Sequence, residues 1–360
     1  MSHPDDLPKR TGSGGAPDAG APPENDSGLF LYQILTAPAF SGVSSRADVE
    51  SVVERVKGFE YEGDFRFQVE VSPGRLRVGR RQSPSTLRER DADDTVRSER
   101  GPIVRFSPSS RRRLLATMGT LDLAEITGRG VFITLTYPGN WRPFCADGRR
   151  AKEHLLFFRR RWVKRWGPFR GVWKLEFQPR RSRPQHERRA PHFHLLVVVP
   201  ALDPCASMPT PVAINDLRDW VAKTWARIVN SDDARHRRAG TQVVEADPDS
   251  ATNLIAYFAG YAYGKSKADQ HEPPEGWGAV GRFWGVVGID RITVGAAISD
   301  AEFFLLRRIF LTLIAKRSRR RRRSVGHETF GAWVSIPGAP QLLARILDWM
   351  DGKYPDRTLP

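Results

Sequence analysis

Apolar and polar positions alternate between residues 59 and 80. Phe65, Phe67, Val69 and Val71 recur every second residue, Ser72-Pro73-Gly74 interrupts them, and Leu76 and Val78 resume the pattern. A period of two puts these side chains on one face, and the Pro-Gly break supplies the turn, so the stretch predicts a β-hairpin. Residues 130–138 (GVFITLTYP) predict a buried strand ended by Pro-Gly-Asn; residues 171–178 (GVWKLEFQ) and 192–200 (HFHLLVVVP) predict two more, joined by an Arg-rich loop, and TQVVEA at 241–246 a short one. Elsewhere the spacing is helical. Residues 107–122 open on a Ser start signal, and 152–166 set Leu155, Phe158, Trp162 and Trp166 on one stripe. Residues 214–229 are amphipathic, 250–265 enter through a Ser or Asp cap, and 299–324 run into a basic tract.

The order strand, helix, hairpin, helix predicts an α+β fold, a central antiparallel sheet near 131–137, 171–178 and 192–199 with packed helices, plus a basic helical C-terminal extension. Residues 1–28 have almost no large apolar side chain and read as a disordered leader. Residues 29–101 form an accessory segment with the hairpin and a charged linker, 102–298 the main domain and 299–360 the helical basic extension. Composition narrows the class. With 40% hydrophobic residues, 10 Trp and 19 Phe, the 360-residue chain carries enough apolar surface for a core, which excludes fibrous and wholly disordered classes. No apolar run reaches the ~18–20 residues of a spanning helix. The two cysteines, Cys145 and Cys205, exclude a disulfide framework and a cysteine-based zinc site, so a soluble protein of the reducing cytoplasm is expected. The net charge of +16 favours a polyanionic partner, nucleic acid ahead of an anionic membrane.

Three groups of residues carry candidate chemistry. His192 and His194 are two apart in a strand, so both imidazoles face one way, as half a metal site or as a solvent-facing pair. Glu176 shares a face with Lys174 on the preceding strand. A hairpin would bring its carboxylate to both imidazoles, although it could equally pair with Lys174 or a loop arginine, and His186 is a rival ligand. Tyr257 and Tyr261 lie ~40° apart around their helix and address one side, as a site or as a core stripe. A metal ion on a phosphodiester oxygen with a phenol as nucleophile specifies phosphoryl transfer through a covalent phosphotyrosine.

These residues resemble the HUH endonuclease superfamily, specifically the rolling-circle replication initiators of plasmids and single-stranded DNA phages. FITLTYPGN at 132–140 resembles the first motif, PHFHLLVVV at 191–199 the second, and YFAGYAYGK at 257–265 the third; GRFWGVVG at 281–288 is similar to a segment that often follows the tyrosine helix in phage-like members. The resemblance covers about 102–288. It implies an HUH domain, metal binding by His192 and His194 with Glu176 as third ligand, Mg²⁺ or Mn²⁺ as the ion, Tyr261 as nucleophile and Tyr257 as second tyrosine. It implies a nick in single-stranded origin DNA, a 3′-OH that primes a host polymerase, and a host helicase as a further partner. The chain has Gly260 where the family usually has Lys, and its trailing Lys265 comes one residue late. Which lysine contacts phosphate and which tyrosine acts first therefore stay open. A transposase or relaxase of the same chemistry, or a non-catalytic nucleic-acid-binding protein, are the alternatives.

The charge is unevenly placed. Residues 141–190 hold 16 Lys or Arg against 4 Asp or Glu, and this stretch flanks the candidate site. Arg180, Arg181, Arg183, Arg188 and Arg189 of the hairpin loop, with Lys265 and Lys267, are the expected DNA contacts. Trp162, Trp166 and Phe169 could stack unpaired bases, though helical spacing favours the core for Trp162 and Trp166. The tract at 316–323 is a generic polyanion binder.

Overall fold

The computed structural model of the chain describes residues 44–57, 66–80, 101–124, 126, 128–179, 189–245, 271–318, 331–336 and 338–353. In chain order the elements are α1 (Arg46–Lys57), β1 (Phe67–Ser72), β2 (Arg75–Arg80), α2 (Pro108–Met118), β3 (Arg129–Thr136), α3 (Gly148–Trp166), β4 (Gly171–Pro179) and β5 (Arg189–Val199). They continue with α4 (Ile214–Ile228), α5 (Ala234–Ala239), β6 (Thr241–Glu245), β7 (Trp284–Val287), β8 (Val294–Ile298), α6 (Asp300–Ser318), β9 (Gly331–Ser335) and α7 (Ala339–Lys353). The fold is α+β, as the sequence pattern predicts, with two antiparallel sheets. The expected helix at 250–265 lies outside the described residues. Among the described residues, no helix is long and apolar enough to cross a membrane.

The larger sheet has the order β6-β3-β5-β4-β7, so the strand carrying both histidines is central. Its register pairs Leu135 with Phe193 and Phe193 with Leu175, and these side chains with Ile133, Leu195 and Trp173 make one apolar face. α3 and α4 cover that face. α3 starts at Asp147, whose carboxylate accepts the Arg150 amide at 2.7 Å, and stops at Gly167, whose φ of +82° is easy only for glycine. Its predicted stripe of Leu155, Phe158, Trp162 and Trp166 is buried, and Phe158 meets Trp225 of α4, which in turn meets Phe193 edge-on at 6.4 Å. Trp162, Trp166 and Phe169 are only 0%, 2% and 4% exposed, so they are core residues and not a base-stacking surface. Truncating Trp162 to Ala would cost roughly 3–5 kcal/mol of stability through the cavity left behind.

The second sheet has the order β8-β1-β2-β9 and is built from both ends of the chain. Phe67, Val69 and Val71 oppose Ile298, Ala296 and Val294 on one side and Arg80, Val78 and Leu76 on the other. The hairpin predicted at 59–80 is therefore the middle of a sheet. β9, at 331–335, adds a strand to the stretch expected to be helical. Phe303 of α6 stacks on Phe67, and the buried residues of α1 and α7 complete a second core. The amide of Gly74, at the β1–β2 turn, donates to the carbonyl of Gly119 just after α2 at 2.9 Å.

Candidate metal centre

The second face of the larger sheet is polar because the odd and even positions of its strands segregate. Register sets Glu176 opposite His192, Lys174 opposite His194, Thr134 opposite His194 and Thr136 opposite His192. Residues directly opposite in an antiparallel pair share a face, so β3, β4 and β5 deliver all six side chains to one side. Glu176 Oε2 lies 3.3 Å from His194 Nε2 and 3.6 Å from His192 Nε2, and the two imidazoles meet nearly at right angles with ring centres 4.7 Å apart. Lys174 Nζ donates to the other carboxylate oxygen, Oε1. The hairpin reading of Glu176 and the alternative of a Lys174 partner are thus both realised, one on each oxygen.

Neighbouring groups fix the cluster. The Thr134 hydroxyl meets His194 Nδ1 at 3.2 Å, leaving the Nε2 of that ring toward Glu176. The Phe106 ring centre is 5.3 Å from the Lys174 ammonium. Trp284, opposite Lys174 in the register, donates its indole N–H to Ser110 of α2 at 3.0 Å and so ties α2 to this end of the sheet. The carbonyl of Thr136 accepts from Trp225 Nε1 at 2.5 Å and from His236 Nε2 at 2.9 Å, which anchors the end of β3.

Burial works against the charge on Glu176, but the adjacent imidazoles of His192 and His194 and the ammonium of Lys174 outweigh it and hold the carboxyl far below its usual range. Burial pushes the pKa of His192 down, with Glu176 opposing, so its imidazole is neutral at pH 7. One carboxylate and two imidazoles converge here, with ligand atoms within 4.8 Å of one another. Glu176 Oε2 is buried and has no well-formed hydrogen bond. A buried anionic oxygen short of a donor, beside a neutral imidazole, fits a divalent cation, and this donor set suits Mn²⁺, Mg²⁺, Zn²⁺ or Co²⁺.

The remaining expected site residues divide by position. Arg189 opens β5 and is engaged by Glu272 at 3.0 Å and the carbonyl of Pro273 at 3.3 Å. Arg180, Arg181, Arg183, Arg188, His186, Tyr257, Tyr261, Lys265 and Lys267 lie outside the described residues. Sequence reasoning does not single out Thr134, although its parity in FITLT places it on the polar face; the strand order that brings it to His194 is not encoded in that parity.

A family model described as Replication-associated protein ORF2 matches residues 130–266. Over that stretch the chain is similar to replication-associated proteins. The matched segment runs from β3 past β6 and contains Glu176, His192, His194, Tyr257, Tyr261 and Lys265. No curated protein and no solved structure matches the chain significantly. The similarity supports a replication-associated role.

Proposed function

We propose that the chain is a metal-dependent, site-specific endonuclease and strand transferase of the HUH type, which nicks and rejoins single-stranded DNA at a replication origin to initiate rolling-circle replication. The observation that carries this reading is the convergence of Glu176, His192 and His194 on one sheet face, inside the segment similar to replication-associated proteins. A divalent ion held by these three residues, Mg²⁺ or Mn²⁺, would neutralise a non-bridging phosphate oxygen and orient the group for in-line attack.

The chain's own part follows from the residue types. The Tyr261 phenol oxygen attacks phosphorus, the bond from phosphorus to the 3′ oxygen breaks, and the 5′ phosphate stays on the tyrosine as a diester. The phenolic proton goes to solvent and the departing 3′ oxygen takes one up, leaving the 3′-OH that a host polymerase extends. The phosphotyrosine keeps the energy of the phosphodiester, so a second attack by Tyr257 on the displaced strand frees a new 3′-OH, and that hydroxyl attacks the Tyr261 diester and releases the phenol, joining the strand without a nucleotide cofactor. Lys265, Lys267 and the loop arginines hold flanking phosphates, and a host helicase opens the duplex ahead of synthesis. Thr134 keeps the His194 ring oriented.

The test is cleavage of a labelled single-stranded origin oligonucleotide by wild type, His192→Ala and His194→Ala, with Mn²⁺ and with chelator. Cleavage should vanish in both variants and in chelator while much of the binding persists, because phosphate contacts and phosphate activation are separate contributions. Undiminished nicking by the double variant in chelator would sink the reading.

A further inference from the structure

The second sheet has a polar face that takes no part in the metal centre. Its apolar side is covered by α1, α6 and α7, whereas the other side carries Gln68, Glu70, Arg75, Arg77 and Trp333. Trp333 is 39% exposed on the edge strand β9, directly opposite Arg77, with the Arg75 guanidinium 5.5 Å from its ring centre. Isolated surface tryptophans are unremarkable, but an indole on an open sheet beside arginines is the combination that stacks unpaired bases and holds their phosphates. The charge points the same way. Glu70 is already engaged by Arg77 and Gln68, while among the described residues Arg75 has no acidic partner within ion-pair distance and its buried Nε has no hydrogen-bond partner. β1 to β2, from 66 to 80, contains four arginines and one acid.

Glycines keep the floor of this face low. Gly79 and Gly331 are paired across β2 and β9, and Gly295 stands opposite Glu70 on β8. A Cβ built at any of the three would meet only atoms of the sheet itself: the Arg77 guanidinium at Gly79, Val78 O and Gly79 Cα at Gly331, and Val69 O and Gln68 Oε1 at Gly295. Within 4 Å of a Cβ at Gly331 or Gly295 no other described element lies, and glycine within a strand is where a second backbone can approach closely.

We propose that this face is a platform for single-stranded DNA, separate from the metal centre, on which an unpaired base stacks against Trp333 and Arg75 takes the flanking phosphate. The choice of DNA rests on the function proposed above; the stacking and charge arguments do not. The platform holds the strand that is not being cut or the strand leading to the cut, which adds affinity without adding sequence readout.

The experiment is fluorescence anisotropy of the full chain on a labelled oligothymidine and on a duplex, in chelator so that the metal centre takes no part. Trp333→Leu keeps an apolar side chain and removes the π surface; affinity for the single strand should fall roughly 5- to 150-fold, with the duplex little changed. Trp333→Phe should restore most of it. Arg75→Ser with Arg77→Ser should lower the salt slope by about 0.7, nearer one contact than two because Arg77 is engaged by Glu70. If Trp333→Leu fails to fold, the arginine pair and Trp333→Phe decide. Single-strand affinity and salt slope that stay at wild-type values overturn the platform, as does a Trp333→Leu change in oligomeric state alone, which would mark a self-association surface. Cleavage by the metal centre on a minimal substrate should persist in Trp333→Leu, so failure of the platform and failure of the nicking chemistry are distinguishable.

Discussion

Replacing Lys174 with Met keeps the aliphatic stem and removes the ammonium, which tests what balances the charge of the candidate metal centre. Lys174 and Glu176 side chains are each only 1% exposed, so the carboxylate cannot recover its hydration when its partner is lost. Deleting one member of a buried pair costs about 3–5 kcal/mol. Loss of the ammonium's contact with the Phe106 face, 5.3 Å away and out of water, adds about 2 kcal/mol. Protonation of the Glu176 carboxyl itself would compensate in part, so a loss near the lower end, about 3 kcal/mol, is expected at neutral pH without metal. The pH dependence has a definite sign. Glu176 is held below its unfolded value, so its contribution is present above the unfolded carboxyl pKa and is lost as pH falls through the folded one. Removing the Lys174 charge shrinks that contribution, so the gap between the two proteins should hold at neutral pH and begin to close only as pH falls below the ordinary carboxyl range. The site of Lys174→Met also loses the cation that opposes a divalent ion, so Mn²⁺ should stabilise the variant more than the wild type. The assay is urea unfolding followed by fluorescence of the buried tryptophans, in chelator and in excess Mn²⁺. Equal stability in chelator, or equal stabilisation by Mn²⁺, would refute the claim that the Lys174–Glu176 pair sets the charge of this site.

Thr134→Val removes the hydroxyl beside His194 Nδ1 and should weaken Mn²⁺ or Co²⁺ binding about 10- to 100-fold by calorimetry, with the fold intact. His154 is buried with Nδ1 3.0 Å from the Tyr137 hydroxyl, and burial, then Arg150, push its pKa down to about 4. The unfolded chain therefore binds more protons between about pH 6.5 and 4, and His154→Gln should flatten the loss of stability in that window by roughly 1–2 kcal/mol after solvent screening, read from urea midpoints. Replacing Arg180, Arg181, Arg183, Arg188 and Arg189 with Ser should reduce the salt slope of single-strand binding by about 3, nearer four contacts than five because Arg189 is engaged by Glu272. Removal of residues 316–323 should change the slope less; a larger effect of that tract would move the main footprint to the C-terminal helix.

The sequence reading locates the centre of the fold well because local pattern decides it there. The strands predicted at 131–137, 171–178 and 192–199 each carry an unbroken apolar face that is buried in the core, and their observed spans differ by only a few residues at the ends. Glu176, His192 and His194 come together because a hairpin between consecutive strands restricts the register, and parity then settles the faces. Thr134 needs a further step, the insertion of β5 beside β3, which follows from long-range pairing and not from any local signal. The second sheet fails in sequence for the same reason. β1 pairs with β8 across more than 200 residues, and no period in either strand names its partner. β9 is short and follows a basic tract that dominates the composition around it, so its Ala332 and Val334, which complete the apolar face beside Val78 and Leu76, carry too little pattern to be recognised alone.

The most direct measurement of the central claim is mass spectrometry of the product formed when wild type meets a single-stranded origin oligonucleotide and Mn²⁺. A 5′-phosphotyrosine peptide containing Tyr261 is expected, absent in chelator and absent in Tyr261→Phe, with Tyr257→Phe sparing this first adduct and impairing the second transfer. Cleavage without any protein-linked DNA, or an adduct that forms unchanged in chelator, would contradict metal-dependent tyrosine chemistry at this site.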